Sequence, residues 1–337
     1  MSNVIGELVS CGSPLSVSLD AQYLNDSAFI GRENLTGVDC PNAIAVGERA
    51  FEGCVALSDA YFPSMVLARS SAFNGCTSLN MAMSQMVNAE AYAFHNARIT
   101  DGNFPSLVAV GERAFGALDW QHTMGSGVSV ISLANARYIG NYAFLNWDDV
   151  EEVYLPNAVH IGDYAFATCS SLRTVYAPNA VTLGSGAFAY CRSLSDISMP
   201  NVVVAKSYAF EYCDSLSTVN LPKLEILGRE AFCDGSVRTI TADNLRYIGY
   251  KAFSIAVYLK TASFPKLEVI AADAFNQATN FTSLYLGGSS VCRLLSSTAF
   301  AMTSYSLSIY VPSSLYSAYR MAPGWYNISG KIKSYAF

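Results

Sequence analysis

Short alternations of apolar and polar residues recur along the whole chain, and none of them lengthens into an amphipathic helix. The segment Leu172-Arg-Thr-Val175-Tyr-Ala-Pro178 is typical, with apolar residues at its first, fourth and sixth positions. That pattern predicts a short strand with one buried face. The proline ends it, because it has no N–H for a further ladder bond. A second apolar pair, Val181 and Leu183, leads through Gly184 to Ala187-Phe188 and then Cys191. The unit reads L-x-x-V-x-L-P-N-x-x-x-I-G-x-x-A-F-x-x-C.

The unit repeats. Ala-Phe recurs with its phenylalanine at 29, 51, 73, 94, 115, 144, 166, 188, 210, 232, 253, 275 and 300, most steps being 21 or 22 residues. A single unit cannot bury its own apolar face, so successive units must stack into a solenoid. The expected fold is a repeat solenoid: a right-handed leucine-rich-repeat coil with one parallel β-sheet face, about 13 repeats of 22 residues and capped ends. At an interstrand spacing near 4.8 Å, such a rod is roughly 60 Å long. Gly47, Gly111, Gly140, Gly162, Gly184, Gly228 and Gly249 are expected to make tight turns. Each Ala-Phe places one large ring per coil, and the rings are expected to stack along the axis. Cysteines 54, 76, 169, 191 and 213 each lie three residues after a phenylalanine. They read as a buried column of small hydrophobes rather than a disulfide framework.

Residues 1–24 and 313–337 depart from the repeat and are expected to cap a solenoid over 25–312. Ser313 or Ser314 is expected to N-cap a short helix, Leu315 to Met321, laid over the last phenylalanine layer.

Segments such as Leu-Pro-Asn…Ile-Gly-Asp-Tyr-Ala-Phe-Ala-Thr-Cys (155–169) and Leu-Pro-Lys-Leu-Glu-Ile-Leu-Gly-Arg-Glu-Ala-Phe-Cys (221–233) resemble the BspA-like leucine-rich repeat proteins, also called the Treponema pallidum type. The resemblance covers about residues 25 to 312. It implies a non-enzymatic recognition or adhesion protein, extracellular or on a virion, and no cofactor. The partner implied is a bacterial surface glycan or protein receptor, or another virion or cell-surface protein. The ending Tyr310-Val-Pro…Pro-Gly-Trp325 looks like the tails of such proteins from gut bacteria and their phages. A phage-tail receptor binder is therefore expected first, a secreted adhesin for host matrix proteins second, and a rigid spacer third.

Composition narrows the classes. Apolar residues are 52% of the 337 and charged residues 14%, which excludes a disordered chain. The net charge of −6 argues against nucleic acid as partner, and no apolar run reaches the length of a membrane helix. The first residues, Met1 to Val9, do not read as a secretory leader. Residues 1–170 hold 6 basic and 17 acidic side chains, and residues 171–337 hold 14 and 9. Along a rod this becomes an end-to-end gradient, suited to orienting a partner or a second copy. Three scattered histidines, with no nucleophile–base set, phosphate loop or metal motif, point away from catalysis and from a metal site.

On the strand, the third and fifth positions point outward. These two columns carry Asp59, Tyr61, Asp101, Glu152, Tyr154, Tyr176 and Asp196. Tyrosine interleaved with acidic and hydroxyl residues on a rigid sheet suits recognition. Glu152, Tyr154, Tyr176 and Asp196 form the expected centre, and Asp59, Tyr61 and Asp101 its extension. The long step before Phe144 marks an insertion within 116–127 that displays Trp120 and His122. Trp147 follows it and is expected to be exposed beside Asp148, Asp149, Glu151 and Glu152, read as a solvated acidic edge.

Overall fold

The computed structural model describes residues 14–117 and 127–336. Each repeat lays one strand on each of two faces, and the next repeat stacks on it in parallel. One face is a single ladder of 13 two-residue strands, from Tyr23–Leu24 to Arg293–Leu294. The other carries longer strands in three runs. Three strands run from Leu15–Ser18 to Asp59–Tyr61, four from Val130–Ser132 to Asp196–Ser198, and six from Thr218–Asn220 to Ile332–Tyr335. This is the parallel β-solenoid that the repeat predicts.

Between the faces, the thirteen phenylalanines form one unbroken column. Consecutive rings from Phe29 to Phe300 lie 5.1 to 5.7 Å apart and nearly parallel. The spacing holds even across the longer steps before Phe144 and Phe300, because the ladder of short strands is continuous through every coil. The alanine before each ring from Phe51 onward is buried, leaving space only for a methyl group against the neighbouring coil.

The cysteines line the same core and have a polar task. The thiols of Cys54, Cys76, Cys169, Cys191 and Cys213 donate to the carbonyls of Phe29, Phe51, Phe144, Phe166 and Phe188, one coil back, at 3.1 to 3.5 Å. All eight described cysteines are buried and free. Burial pushes the Cys54 thiol up to about 11 and those of Cys76 and Cys213 higher still. A thiol reagent at pH 8 is therefore expected to leave these eight unmodified in the folded protein and to reach them only on unfolding. Stoichiometric labelling of folded protein at any of them, followed by mass spectrometry, contradicts this core.

The repeat glycines are needed for a different reason from the one their position suggests. They do not have positive φ; that conformation falls on the residues two before and two after most of the phenylalanines, such as Tyr164, Thr168, Tyr208 and Tyr212. A Cβ at Gly184 would lie 2.4 Å from the Asp163 nitrogen and the Gly162 carbonyl carbon. It is the stacking of coil on coil, and not a turn, that excludes the side chain. The asparagine after the strand-ending proline has a similar role. Asn157, Asn179 and Asn201 donate to carbonyls of Ala134, Pro156 and Pro178 in the preceding coil, at 2.7 to 2.8 Å, and Asn244, which follows Asp243, does the same to Pro222 at 2.8 Å.

At the start, Leu15–Ser18 and Tyr23–Leu24 already pair with Leu35–Asp39 and Ala45–Val46, so residues 15–24 continue both ladders. At the other end, helix α1 (Tyr316–Met321) is followed by the strand Ile332–Tyr335, which pairs with Ser308–Pro312. The expected serine cap is replaced. Ser313–Leu315 forms a 3-10 turn, Leu315 stands at the N-cap without a side-chain bond, and the Ser313 hydroxyl instead meets Ser334 at 2.8 Å. Tyr319 and Trp325 are buried, and the Trp325 ring lies 6.0 Å from Phe300, closing the column.

Candidate functional site

The long-strand face collects most of the residues that the alternation singles out. Glu152 lies opposite Thr174, which lies opposite Asp196; Tyr154 lies opposite Tyr176, which lies opposite Ser198. Four expected centre residues therefore share one four-stranded patch. Tyr154 and Tyr176 are 40% and 41% exposed, with ring centroids 6.3 Å apart. The Tyr154 hydroxyl donates to a Glu152 carboxylate oxygen at 2.8 Å, and that carboxylate holds the phenol above its ordinary pKa. The pair is pre-positioned: the ring cannot swing freely without breaking the bond.

The extension residues lie further toward the amino-terminal end. Asp59 and Tyr61 sit on the three-stranded run, with Tyr61 59% exposed. With Gly37, Asp39 and Asn80 they line a shallow depression of about 290 Å³. Gly37 helps to open it, since a Cβ there would come within 2.6 Å of the Ser16 Oγ. Asp101 is exposed on a coil without a long strand, where only Asn103 and Ser132 bridge. The strand alternation fails on the coil before it too: Met83, which occupies the outward fifth position two coils before Ser132, is buried.

Trp147 corrects the sequence reading most clearly. It is fully buried, edge-on to Phe144 at 5.3 Å, and its Nε1–H donates to the Phe115 carbonyl at 2.7 Å. It stands three residues after its phenylalanine and takes over the hydrogen bond that cysteine makes in other coils. That alignment was visible in the repeat; reading the tryptophan by its acidic neighbours obscured it. The neighbours are partnered separately. Asp148 accepts from Ser170 at 3.1 Å, Asp149 from the Gly127 N–H at 2.9 Å, and Glu151 pairs with Arg173 at 3.7 Å. Trp120 and His122 lie outside the described residues.

A second aromatic surface, not anticipated from the alternation, runs along the turns beside the phenylalanine column. Tyr142 and Tyr164 stack at 5.2 Å, as do Tyr190 and Tyr212 at 4.9 Å. The Arg113 guanidinium lies 4.2 Å from the Tyr142 ring, and that of Arg229 lies 5.0 Å from Tyr250. These rings use their faces on one another and on arginine, so they brace adjacent coils. The recurrence of tyrosine two residues to either side of phenylalanine is the signal that marks them.

Beneath this surface His95 is 4% exposed, and neither ring nitrogen finds a hydrogen-bond partner among the described residues. Burial pushes its pKa below the ordinary value, with the nearby Arg113 charge acting the same way. In the unfolded chain it takes a proton near pH 6.5, whereas the folded chain resists protonation. The unfolded state then binds more protons, so stability falls as pH drops below about 6.5. Thermal melts at pH 7.5 and 5.5 are expected to show a smaller acid loss in His95→Leu than in the wild type. An equal loss in both contradicts a role for this histidine.

Among the described residues, no three His, Cys, Asp or Glu side chains come together as a metal site would need, and no helix is long and apolar enough to cross a membrane.

Comparison with known proteins agrees with this architecture. In the solved structure of a leucine-rich repeat protein from Bacteroides ovatus, 92% of that chain aligns with 96% of this one, at 22% identity and a TM-score of 0.64. A leucine-rich cell surface protein from Faecalibacterium prausnitzii aligns over 90% of its chain and 94% of this one, at 16% identity and a TM-score of 0.46. The pneumococcal vaccine antigen PcpA aligns over 81% of its chain and all of this one, at 13% identity and a TM-score of 0.42. Among curated proteins none matches. The family model for the BspA-type leucine-rich repeat region matches residues 11–119, 126–238 and 205–322. With its strand, glycine and phenylalanine periods now seen as one stacked fold, the chain belongs to the BspA-type leucine-rich repeat family.

Proposed function

We propose that the protein is a non-enzymatic recognition module that binds a protein receptor on a cell or matrix surface through its long-strand face. The observation that carries this reading is the patch of Glu152, Tyr154, Tyr176 and Asp196. Two half-exposed rings lie side by side on a rigid sheet, flanked by carboxylates, with one hydroxyl already fixed. Rigid tyrosines contribute contact area at a small entropic cost, which favours binding. Asp59, Tyr61 and Asp101 extend the surface along the axis. The turn tyrosines are committed to one another, so the sheet face is the better candidate of the two aromatic surfaces.

The test is retention of labelled protein on intact gut bacteria and on immobilised matrix proteins, with parallel wells treated by protease or by periodate. Retention lost after protease and kept after periodate is expected. Retention that survives protease and fails after periodate moves the ligand to glycan. No retention on any surface removes the recognition reading and leaves a spacer.

A further inference from the structure

The last coil departs from the repeat where the carboxy-terminal segment folds back on it. Leu307 follows Phe300 by seven residues, whereas Leu194 follows Phe188 and Leu216 follows Phe210 by six. Thr303 stands in the cysteine position, and its hydroxyl donates to the Phe300 carbonyl of its own coil at 2.8 Å instead of reaching one coil back. The longer turn carries two outstanding side chains, Met302 at 69% exposure and Tyr305 fully exposed. Between this turn, Thr279 of the preceding coil and Lys331 lies a cavity of about 600 Å³, with the buried Phe300 in its wall. Lys331 is the one charged residue of that wall among the described residues. Its half-buried ammonium donates to the Ser304 carbonyl at 3.2 Å, which fixes it there and leaves two further N–H groups. Burial holds this ammonium below the ordinary lysine pKa, and no described carboxylate offsets that loss. The chain itself supplies none nearby in sequence: after Asp273 it has no Asp or Glu, but it has Arg293, Arg320, Lys331 and Lys333.

We infer that this cavity is a second binding site, for a monoanionic carboxylate carrying an aromatic or branched apolar body. The two remaining N–H groups of one ammonium match the two oxygens of one carboxylate, whereas a dianion would be left half neutralised. A partly desolvated ammonium without a counter-ion also gains more from an anion than a fully hydrated surface lysine does. The Met302 thioether and the open Tyr305 ring offer the apolar body two adaptable contacts, and both leave water when it binds. The cavity volume lies in the range of small-molecule pockets. A free organic acid and the last residue of a peptide present the same chemistry to this site. It lies at the end of the rod, on residues that the long-strand patch of Glu152, Tyr154, Tyr176 and Asp196 does not share.

The test is a ligand-observed NMR titration of the full chain with 3-phenylpropanoate, 3-phenylpropanamide and acetate, which remove in turn the charge and the apolar body. The first is expected to bind at least tenfold more tightly than either of the others. Lys331→Met is expected to lose at least tenfold. If that variant also melts lower through the lost Ser304 bond, Tyr305→Ala carries the test: its ring is fully exposed, so the melting temperature should stay unchanged while affinity falls at least threefold. Tyr154→Ala/Tyr176→Ala should keep full affinity, which separates this site from the sheet face. A Gly-Gly-Phe peptide with a free carboxylate, compared with its amide, identifies the source. Tighter binding of the free peptide than of 3-phenylpropanoate supports the site as one for a chain terminus, and weaker binding supports it as one for a free acid. Equal binding of acid and amide, unchanged affinity in both Lys331→Met and Tyr305→Ala, or no binding by the full chain overturns the inference and leaves the recognition reading untouched.

Discussion

Phe188→Ala is expected to be among the most damaging single substitutions in the chain, costing about 3–5 kcal/mol. Phe188 is fully buried at the centre of the column, with Phe166 and Phe210 stacked at 5.6 and 5.7 Å on its two sides. Removing the ring leaves a void that the two coils cannot close, because both backbone ladders hold them at a fixed rise. A solenoid also transmits stability only through neighbours. The gap therefore weakens the coupling between the two halves as well as one coil. Thermal and urea unfolding should show a melting temperature lowered by roughly 4–7 °C for a chain of this size, with the single transition broadening or splitting. A loss under 1 kcal/mol contradicts the column as the organising core.

Trp147→Ala should come close to that cost, about 3–5 kcal/mol from lost burial. A further contribution of about 1–3 kcal/mol comes from the Phe115 carbonyl, which loses its donor inside the core. The two parts separate experimentally. Trp147→Phe keeps most of the apolar contact with Phe144 and removes only the N–H, so it should cost clearly less than the alanine variant. Tryptophan fluorescence gives a second reading. The buried Trp147 and Trp325 should emit at short wavelength in the folded protein, and Trp147→Ala should remove part of that blue-shifted signal. An unshifted spectrum together with neutral stability would return Trp147 to the surface.

The two errors over tryptophan and glycine have one origin. The column of rings was legible because it demands an apolar residue at one fixed place in every coil, and periodicity reads such demands directly. The cysteines were legible as core for the same reason. Trp147 occupies that cysteine position after the one long repeat, but a large indole flanked by Asp148 and Asp149 resembles a surface feature when only local composition is considered. Gly184 and its equivalents looked like turn residues because glycine is the usual occupant of positive φ. Here Tyr164, Tyr208 and Tyr212 take that conformation, and the glycines answer to a contact with a coil that is 22 residues distant. Contacts between coils are long-range, and a single unit of the repeat does not display them.

The candidate site was legible to the extent that strand register could be trusted. Tyr154, Tyr176, Glu152 and Asp196 come together because their three coils hold a regular long strand. Register fails between Asp59–Tyr61 and Val130–Ser132, where the long-strand ladder is interrupted. Met83 turns inward there, a change that alternation alone does not signal. The depression beside Tyr61 was equally hidden, since it depends on a glycine in one strand facing side chains in two others.

The central claim, recognition through the sheet face, is tested most directly by two double variants measured against the same captured partner surface. Tyr154→Ala/Tyr176→Ala removes the paired rings of the sheet, and Tyr190→Ala/Tyr212→Ala removes a stacked pair from the turns. Binding kinetics on that surface should show at least a tenfold loss for the first and near wild-type affinity for the second, with both proteins folded by circular dichroism. Full affinity in the sheet variant and loss in the turn variant would contradict the account and move the binding face to the turns.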